Sequence, residues 1–273
     1  MSGTFFVIGT PIGNLEDVTL RQLDTLAAVD FICAEDTRVT LKLLNRFEIK
    51  KPLVSFHEHS SKADAQKIID RLLAGESCGI VTDAGMPCIS DPGEMLVKMC
   101  AESGIDIKVV PGPSAVVSAV SVSGLSTRRF TFEGFLPVPK KERRERLEKL
   151  RDETAVMVFY EAPHKLKNTL SDFAEFFGGD RRISLCRELT KIHEEVLRLT
   201  LSEAVEYYVL NEPRGEFVLV LEGARENSDG ELTIEQAMEQ VNKLISMGEK
   251  PTEACKAVAK ETGFRKSELY SLL

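Results

Sequence analysis

The feature that most restricts how this chain can fold is an alternation of short apolar runs with longer segments of helical spacing. Residues 5–8 (FFVI) read as a first strand. Residues 19–28 read as a helix with Leu20, Leu23 and Leu26 along one stripe. Residues 31–33 and 53–55 are further strands, 62–73 an amphipathic helix, 79–81 a strand, 95–102 a helix and 107–110 a strand. The runs are too short for buried helices, and the segments between them carry a helical rather than a two-residue period. This βαβα order predicts a mainly parallel sheet with helices on both faces.

Residues 130–139 (FTFEGFLPVP) interrupt the pattern. Their two prolines and one glycine predict an extended crossing between two lobes. The alternation then restarts, with strands at 155–160, 183–186 and 217–221 and a helix at 165–177. More antiparallel character is expected here, with 195–200 and 217–221 pairing around one short helix. The polar stretch 223–231 (GARENSDGE) reads as a linker. Three helical patterns follow at 234–246, 252–262 and 266–272. Ala254, Val258, Ala259, Phe264 and Leu269, with Gly263 as the turn, resemble a helix-turn-helix. The expected architecture is α/β: an N-terminal lobe over 1–127, a second α/β lobe over 128–223, and a helix-turn-helix-like helical domain over 232–273.

Of the 273 residues, 43% are hydrophobic, which is enough for real cores. The net charge of -8 argues against a generic polyanion binder, because like charge repels phosphate at long range. Contact with nucleic acid then requires a local patch. Residues 140–151 (KKERRERLEKLR) hold seven basic and three acidic side chains, with Arg128 and Arg129 shortly before them. That helix is either a phosphate-tracking face or a solvated surface laced with Glu–Arg pairs. From Met247 onward five basic and four acidic residues make a thin footprint for reading DNA, and no DNA partner is expected. There is no basic, apolar leader and no window of roughly 18 apolar residues, so a cytoplasmic protein without a membrane span is expected. The six cysteines form no C-x-x-C pair and read as buried free thiols.

Three loops follow predicted strands: 9–14 (GTPIGN), 82–93 (TDAGMPCISDPG) and 111–115 (PGPSA). Ligands bind at this edge of open α/β sheets. No loop ends in Gly-Lys-Ser/Thr, and the first offers Gly9 and Gly13 rather than G-x-G-x-x-G, which argues against ATP and NAD. Small residues bring backbone N–H and C=O groups close to a ligand. Such a surface suits a neutral or cationic nucleoside with an amino-acid tail better than a triphosphate. Any one of these loops is as well read as an ordinary turn. Three on one edge favour a site.

The segments VIGTPIGNLEDVTLRQLDTL, AEDTR, VTDAGMPCISDPG, VVPGPSA, FEGFLP, FYEAPHKL, CRELTKIHEE and RGEFVLVLEG together resemble the ribosomal RNA small subunit methyltransferase I family, within the wider tetrapyrrole methylase fold group. The resemblance runs from Thr4 to about Gly223, and the C-terminal helices resemble that family's extra domain. It implies a homodimeric enzyme that uses S-adenosyl-L-methionine, bound in the cleft between the lobes, to methylate the ribose 2′-oxygen of a cytidine in the decoding region of 16S rRNA in the small ribosomal subunit. By position it implies cofactor contacts from Pro11 and Ile12, which replace part of a glycine-richer first loop. It adds Thr82, Asp83, Ala84 and Pro87, where Asp83-Ala84-Gly85 stand in place of the usual Gly-Asp-Pro. Ser114 and Ala115 form the small-residue pair, and Glu161 and Leu189 come from the second lobe.

A ribose hydroxyl is a poor nucleophile at neutral pH, so a positioned base is expected. In Ala34-Glu35-Asp36-Thr37-Arg38, Asp36 is placed to accept the proton and Arg38 to hold a phosphate bidentately. The same pair equally reads as a helix cap with its ion pair. Asp91 and Glu188 are lesser candidates. His57-Glu58-His59, read as strand, puts two histidines on one face without a third ligand, so RNA contact or structural polarity is expected and no metal. Other readings are methylation of a tetrapyrrole or a protein side chain, a phosphohydrolase with Asp36, Asp83 and Asp91 around magnesium, and a non-catalytic RNA-binding adaptor.

Overall fold

The computed structural model describes residues 2–225 and 234–273, so most of the expected linker lies outside the described residues. The chain divides into two compact units, 1–222 and 223–273. The first holds two five-stranded sheets.

In the first sheet β1 (Thr4–Ile8), β2 (Phe31–Ala34), β3 (Leu53–Ser55), β4 (Cys78–Val81) and β5 (Asp106–Val110) lie in the order β3-β2-β4-β1-β5, all parallel. β2 and β4 are buried at every position, because helices cover both faces. On one face α3 (Lys62–Leu73) and α4 (Glu94–Glu102) press Ile68, Leu72 and Leu96 against Phe5, Phe31 and Ile80. On the other, α1 (Leu20–Ala28) and α2 (Thr37–Arg46) bring Leu26 and Leu44 against Ile8, Ile32 and Val81. Thr19 with Gln22, and Ser61 with Asp64, form reciprocal capping boxes that start α1 and α3. Parallel pairing puts the carboxyl ends of β1, β2, β4 and β5 along one edge, and their loops converge there.

The second sheet comprises β6 (Phe130–Phe135), β7 (Val156–Glu161), β8 (Arg182–Arg187), β9 (Glu195–Thr200) and β10 (Phe217–Leu221), in the order β6-β7-β10-β8-β9. β6 and β7 are parallel, and the other pairs antiparallel. Two expectations are corrected. The segment expected to be a plain crossing is an edge strand over 130–135, bulged at Glu133 before Gly134, whose φ is 65°. Its prolines fall just past the paired residues, where no ladder N–H is lost. The strand at 195–200 pairs with β8 rather than with β10. β10 is apolar and buried throughout, so it takes the centre; EVLRLT is half-exposed and takes the edge.

Both faces of the second sheet are covered. α6 (Lys140–Leu150), α7 (Pro163–Phe177) and α8 (Leu201–Leu210) enclose Phe159, Leu170, Phe173 and Leu219 on one side. The other is covered by α5 (Ala115–Val122), which follows β5: Val116, Ala119 and Val120 pack on Val156, Val158, Cys186, Val218 and Val220. Arg198 on β9 donates to the carbonyls of Val122 (2.5 Å) and Ser123 (3.2 Å), a cation at the carbonyl end of that helix.

The second unit is α9 (Ile234–Ser246), α10 (Pro251–Thr262) and α11 (Lys266–Ser271) around Ala237, Val241, Ala254, Val258 and Leu269. Gly263, left-handed at φ 76°, closes α10 by donating its N–H to the Ala259 carbonyl. No helix among the described residues is long and apolar enough to cross a membrane. All six cysteines are free, and five are buried.

Candidate cofactor cleft and active site

A cavity of about 530 Å³ opens where the loop edge of the first sheet meets the second. The first lobe lines it with Ile12, the 82–91 loop and the Ser114–Ala115 step. The second lobe lines it with Phe135, the end of β7 and the start of β10. The loops brace one another. Thr10 N–H donates to the Gly85 carbonyl (2.8 Å), and Gly85 N–H donates back (3.1 Å). The Thr10 hydroxyl donates to the Thr82 carbonyl at 3.1 Å. A Cβ on Gly9 would stand 2.7 Å from the Gly112 backbone, so glycine is required for the first and third loops to touch. Ser114 begins α5 without using its side chain as a cap.

Carboxylates gather at the first-lobe wall. Glu35 accepts from the Thr82 hydroxyl at 2.5 Å and from Asp83 N–H at 3.3 Å. Burial, then the nearby Glu35 charge, pushes the Asp91 carboxyl up to about 6. The Thr82 hydroxyl, which donates to Glu35, pulls the Asp91 carboxyl down by less than burial and the Glu35 charge push it up. Asp83 is raised by the same two causes in the same order. Burial, with Asp91 nearby, lifts the Tyr160 phenol to about 12, so it remains a neutral donor facing the carboxylates. Glu161 is 5% exposed. It accepts from the Thr169 hydroxyl and, at 2.8 Å, from Ala162 N–H. Arg143 donates to that same Thr169 hydroxyl at 2.9 Å.

The model of the tetrapyrrole (corrin/porphyrin) methylases matches residues 4–205. The ribosomal RNA small subunit methyltransferase I of Halalkalibacterium halodurans is 45% identical over 273 residues, covering 99% of this chain and 94% of the relative. The chain belongs to this methyltransferase family. The Thermotoga maritima member is 50% identical over 221 residues, which is 99% of that relative but 81% of this chain. The Bacillus subtilis member is 45% identical over 98% of this chain and 93% of its own. Among solved structures, a uroporphyrin-III C-methyltransferase from Thermus thermophilus aligns with a TM-score of 0.56 at 20% identity over 80% of this chain and 94% of its own. A diphthine synthase aligns at 0.58 and 12%, over 81% and 90%. Those two likenesses establish the fold alone. Membership in a methyltransferase family implies a methyl donor of the S-adenosylmethionine type.

Of the residues singled out in the sequence, the fold brings Ile12, Thr82, Asp83, Ala84, Ser114, Ala115 and Glu161 to the cavity wall. Pro11, Pro87 and Leu189 are buried outside its lining. Leu189 packs with Ile12 and α5, and so supports the wall from behind. Asp36 caps α2 and is gripped by Arg38, with contacts of 3.0 and 2.6 Å. That grip lowers its carboxyl to about 2. The Arg38 side chain is 86% exposed. Glu188 is held low, chiefly by its bond from Lys191, and lies outside the cavity lining.

The sequence reading passed over Glu35, Met86, Tyr160 and Phe217, all on the wall. Glu35 and Tyr160 each adjoin a residue that it chose. The 57–59 triplet forms a turn after β3 rather than strand, with Ser60 N–H donating to the His57 carbonyl at 2.9 Å. Among the described residues no three His, Cys, Asp or Glu side chains are grouped to hold a metal ion. In α6, Arg143 pairs with Asp172, Arg144 with Glu175 and Arg146 with Glu133, which ties most of the guanidinium charge to α7 and β6.

Proposed function

We propose that the cleft binds S-adenosylmethionine and that the protein methylates a ribose 2′-oxygen of 16S rRNA, on a cytidine in the decoding region of the small ribosomal subunit. The observation that carries the donor is the pairing of small-residue loops with Glu35, Asp83 and Asp91 on one wall of a cavity built from both lobes. Carboxylates favour a sulfonium and an ammonium group and repel a polyphosphate. The mostly apolar remainder of the wall suits an adenine ring. The residues present therefore fit the donor. Ile12, Thr82, Ala84, Ser114 and Ala115 would hold it by backbone and small side chains. Glu161 would meet it from the second lobe, and Pro11, Pro87 and Leu189 would support the loops. The donor supplies an electrophilic methyl group for in-line displacement.

The chain's own part is to aim the ribose oxygen, exclude water and take its proton. Asp91 suits the last role. At about 6 its carboxyl is ionised at neutral pH yet retains basicity. Asp36, at about 2, accepts a proton poorly, so its role in catalysis is to hold Arg38, whose exposed guanidinium is placed for a phosphate. The names of the relatives support an rRNA substrate. Such a substrate places the work in the cytoplasm, and a homodimer is proposed from the family resemblance. The decisive test is transfer of labelled methyl groups to small subunits purified from a strain lacking the enzyme, with mapping of the modified sugar. A label on a cytidine ribose in the decoding region is expected. Absence of any label on RNA, with purified protein and donor, overturns the reading.

A further inference from the structure

Phe132 and Phe135 stand three residues apart on β6, so a regular strand would turn them to opposite faces of the second sheet. They share a face instead. Phe132 lies opposite Val158 and Phe135 opposite Tyr160, because the extra residue at Glu133 shifts the register by one. Both rings meet Tyr160, with centroids 5.0 and 5.5 Å away. Val158 and Tyr160 are on the side of α5 and the cleft, whereas Phe159 between them lies under α7. Without the bulge Phe135 would join Phe159 in that core, where Leu136 now packs. The bulge thus takes a large apolar ring off the core side and leaves it 60% exposed on the cleft wall.

The bend is firmly held. Gly134 supplies the left-handed φ of 65°, and a Cβ there would stand 3.3 Å from Ser90 Oγ, so the bulge lies against the loop that carries Asp91. The Glu133 carboxylate, its side chain 7% exposed, is gripped by Arg146 of α6. Asp91 is near enough to Tyr160 for its charge to help raise that phenol. Phe135, Tyr160, Ser90 and Asp91 therefore share the wall of one cavity. A single exposed apolar side chain is ordinary on a protein surface. One that a bulge exposes beside a candidate active site is a side chain re-aimed for use.

We infer that Phe135 is the platform on which the base of the target nucleotide stacks, which sets its ribose beside Asp91. The inference rests on the proposed activity and adds the residue that seats the substrate. Proteins hold single-stranded RNA by stacking its splayed bases on aromatic side chains. A phenyl ring offers only its face, so it seats the nucleotide without choosing among bases. A ring buried inside the cavity would suit the adenine of the donor. A ring mostly open to solvent at the rim suits a base delivered on a polymer too large to enter. Ile89, 53% exposed on the 82–91 loop, adds apolar surface to the same wall.

The test uses the full chain with Phe135→Ala, Phe135→Leu and Phe135→Trp. The first removes the ring, the second keeps apolar bulk without a flat face, and the third keeps a face. The readouts are co-sedimentation with unmodified small subunits in the absence of donor, KM and kcat for those subunits, calorimetric affinity for S-adenosylmethionine, and oligomeric state by light scattering. Phe135→Ala and Phe135→Leu are both expected to weaken subunit binding and raise KM roughly tenfold, the size of one lost base–aromatic stack. Phe135→Trp should stay within about threefold of the parent, and donor affinity within about twofold in all three. Unchanged subunit affinity and KM in Phe135→Ala overturn the platform while leaving the proposed activity standing. Parent-like behaviour of Phe135→Leu shows that bulk suffices and also overturns it. A tenfold loss of donor affinity assigns the ring to the adenine, and a change of oligomeric state assigns it to a contact between copies; either result overturns the inference. If Phe135→Ala fails to fold, the contrast between Phe135→Leu and Phe135→Trp decides. A wild-type protein that labels no RNA overturns both the platform and the activity.

Discussion

At the scale of single residues, the fold separates an acid at the cap of α2 from one on the cleft wall by their surroundings. Asp36 is held near 2 by Arg38, and Asp91 is lifted to about 6 by burial and by its acidic neighbours. The rate should follow the higher value, with kcat/KM rising as pH increases through about 6, where Asp91 loses its proton. Asp91→Asn should lower kcat by about 10²–10⁴-fold and flatten that limb. The stability sign runs the other way. A carboxyl raised in the folded state contributes stability below its unfolded value of 3.8, and that contribution is lost as pH rises through about 6. Asp91→Asn should therefore melt no lower than the parent at pH 8 while being far less active, and a melting point well below the parent's would count against this account. Gly9→Ala makes a second residue-scale prediction. Its Cβ, 2.7 Å from Gly112, should part the two loops and weaken calorimetric donor binding at least tenfold, with little change in KM for RNA. Sequence made Gly9, Ser114 and Ala115 legible because a bare backbone announces itself in composition. Glu35 and Tyr160 were not legible, because nothing local separates a wall residue from its neighbour one position away. Only the meeting of β2, β4 and β7 ends does that.

At the scale of elements, period alone placed most helices and strands, since each stripe answers to a core on its own side. What period cannot carry is partnership. The pairing of β9 with β8 and the central place of β10 follow from burial on two faces, and a run of five apolar residues is compatible with several neighbours. The arginines of α6 teach the same point: a basic helix in sequence becomes, once folded, a set of ties to Asp172, Glu175 and Glu133. The packing of α7 gives a quantitative expectation. Phe173 is fully buried, with ring centroids 4.9 Å from Phe159 and 5.4 Å from Phe177. Phe173→Ala should cost about 3–5 kcal/mol in urea unfolding. A loss under about 1 kcal/mol would mean that the second sheet is not closed by that helix.

At the scale of the molecule, the two units each have their own apolar cluster. The match to the Thermotoga maritima relative takes in 221 residues, close to the extent of the first unit. A chain ending at residue 225 is therefore expected to fold, to bind the donor with its affinity within about threefold of the full chain, and to gain about 2.7 kcal/mol of stability at a donor concentration a hundred times its dissociation constant. A shortened chain that fails to melt cooperatively would tie the first unit to the second. Within the first unit α5 has a different consequence. It leaves the sequence of one lobe to floor the sheet of the other, and Arg198 pins its far end. The lobes are thus not jaws swinging on the peptide that joins them. Prising them apart would strip water-shy valines on both sides, so guests must come and go by movement of the rim loops, and a protease nick near residue 126 should leave two fragments that still travel together through a sizing column.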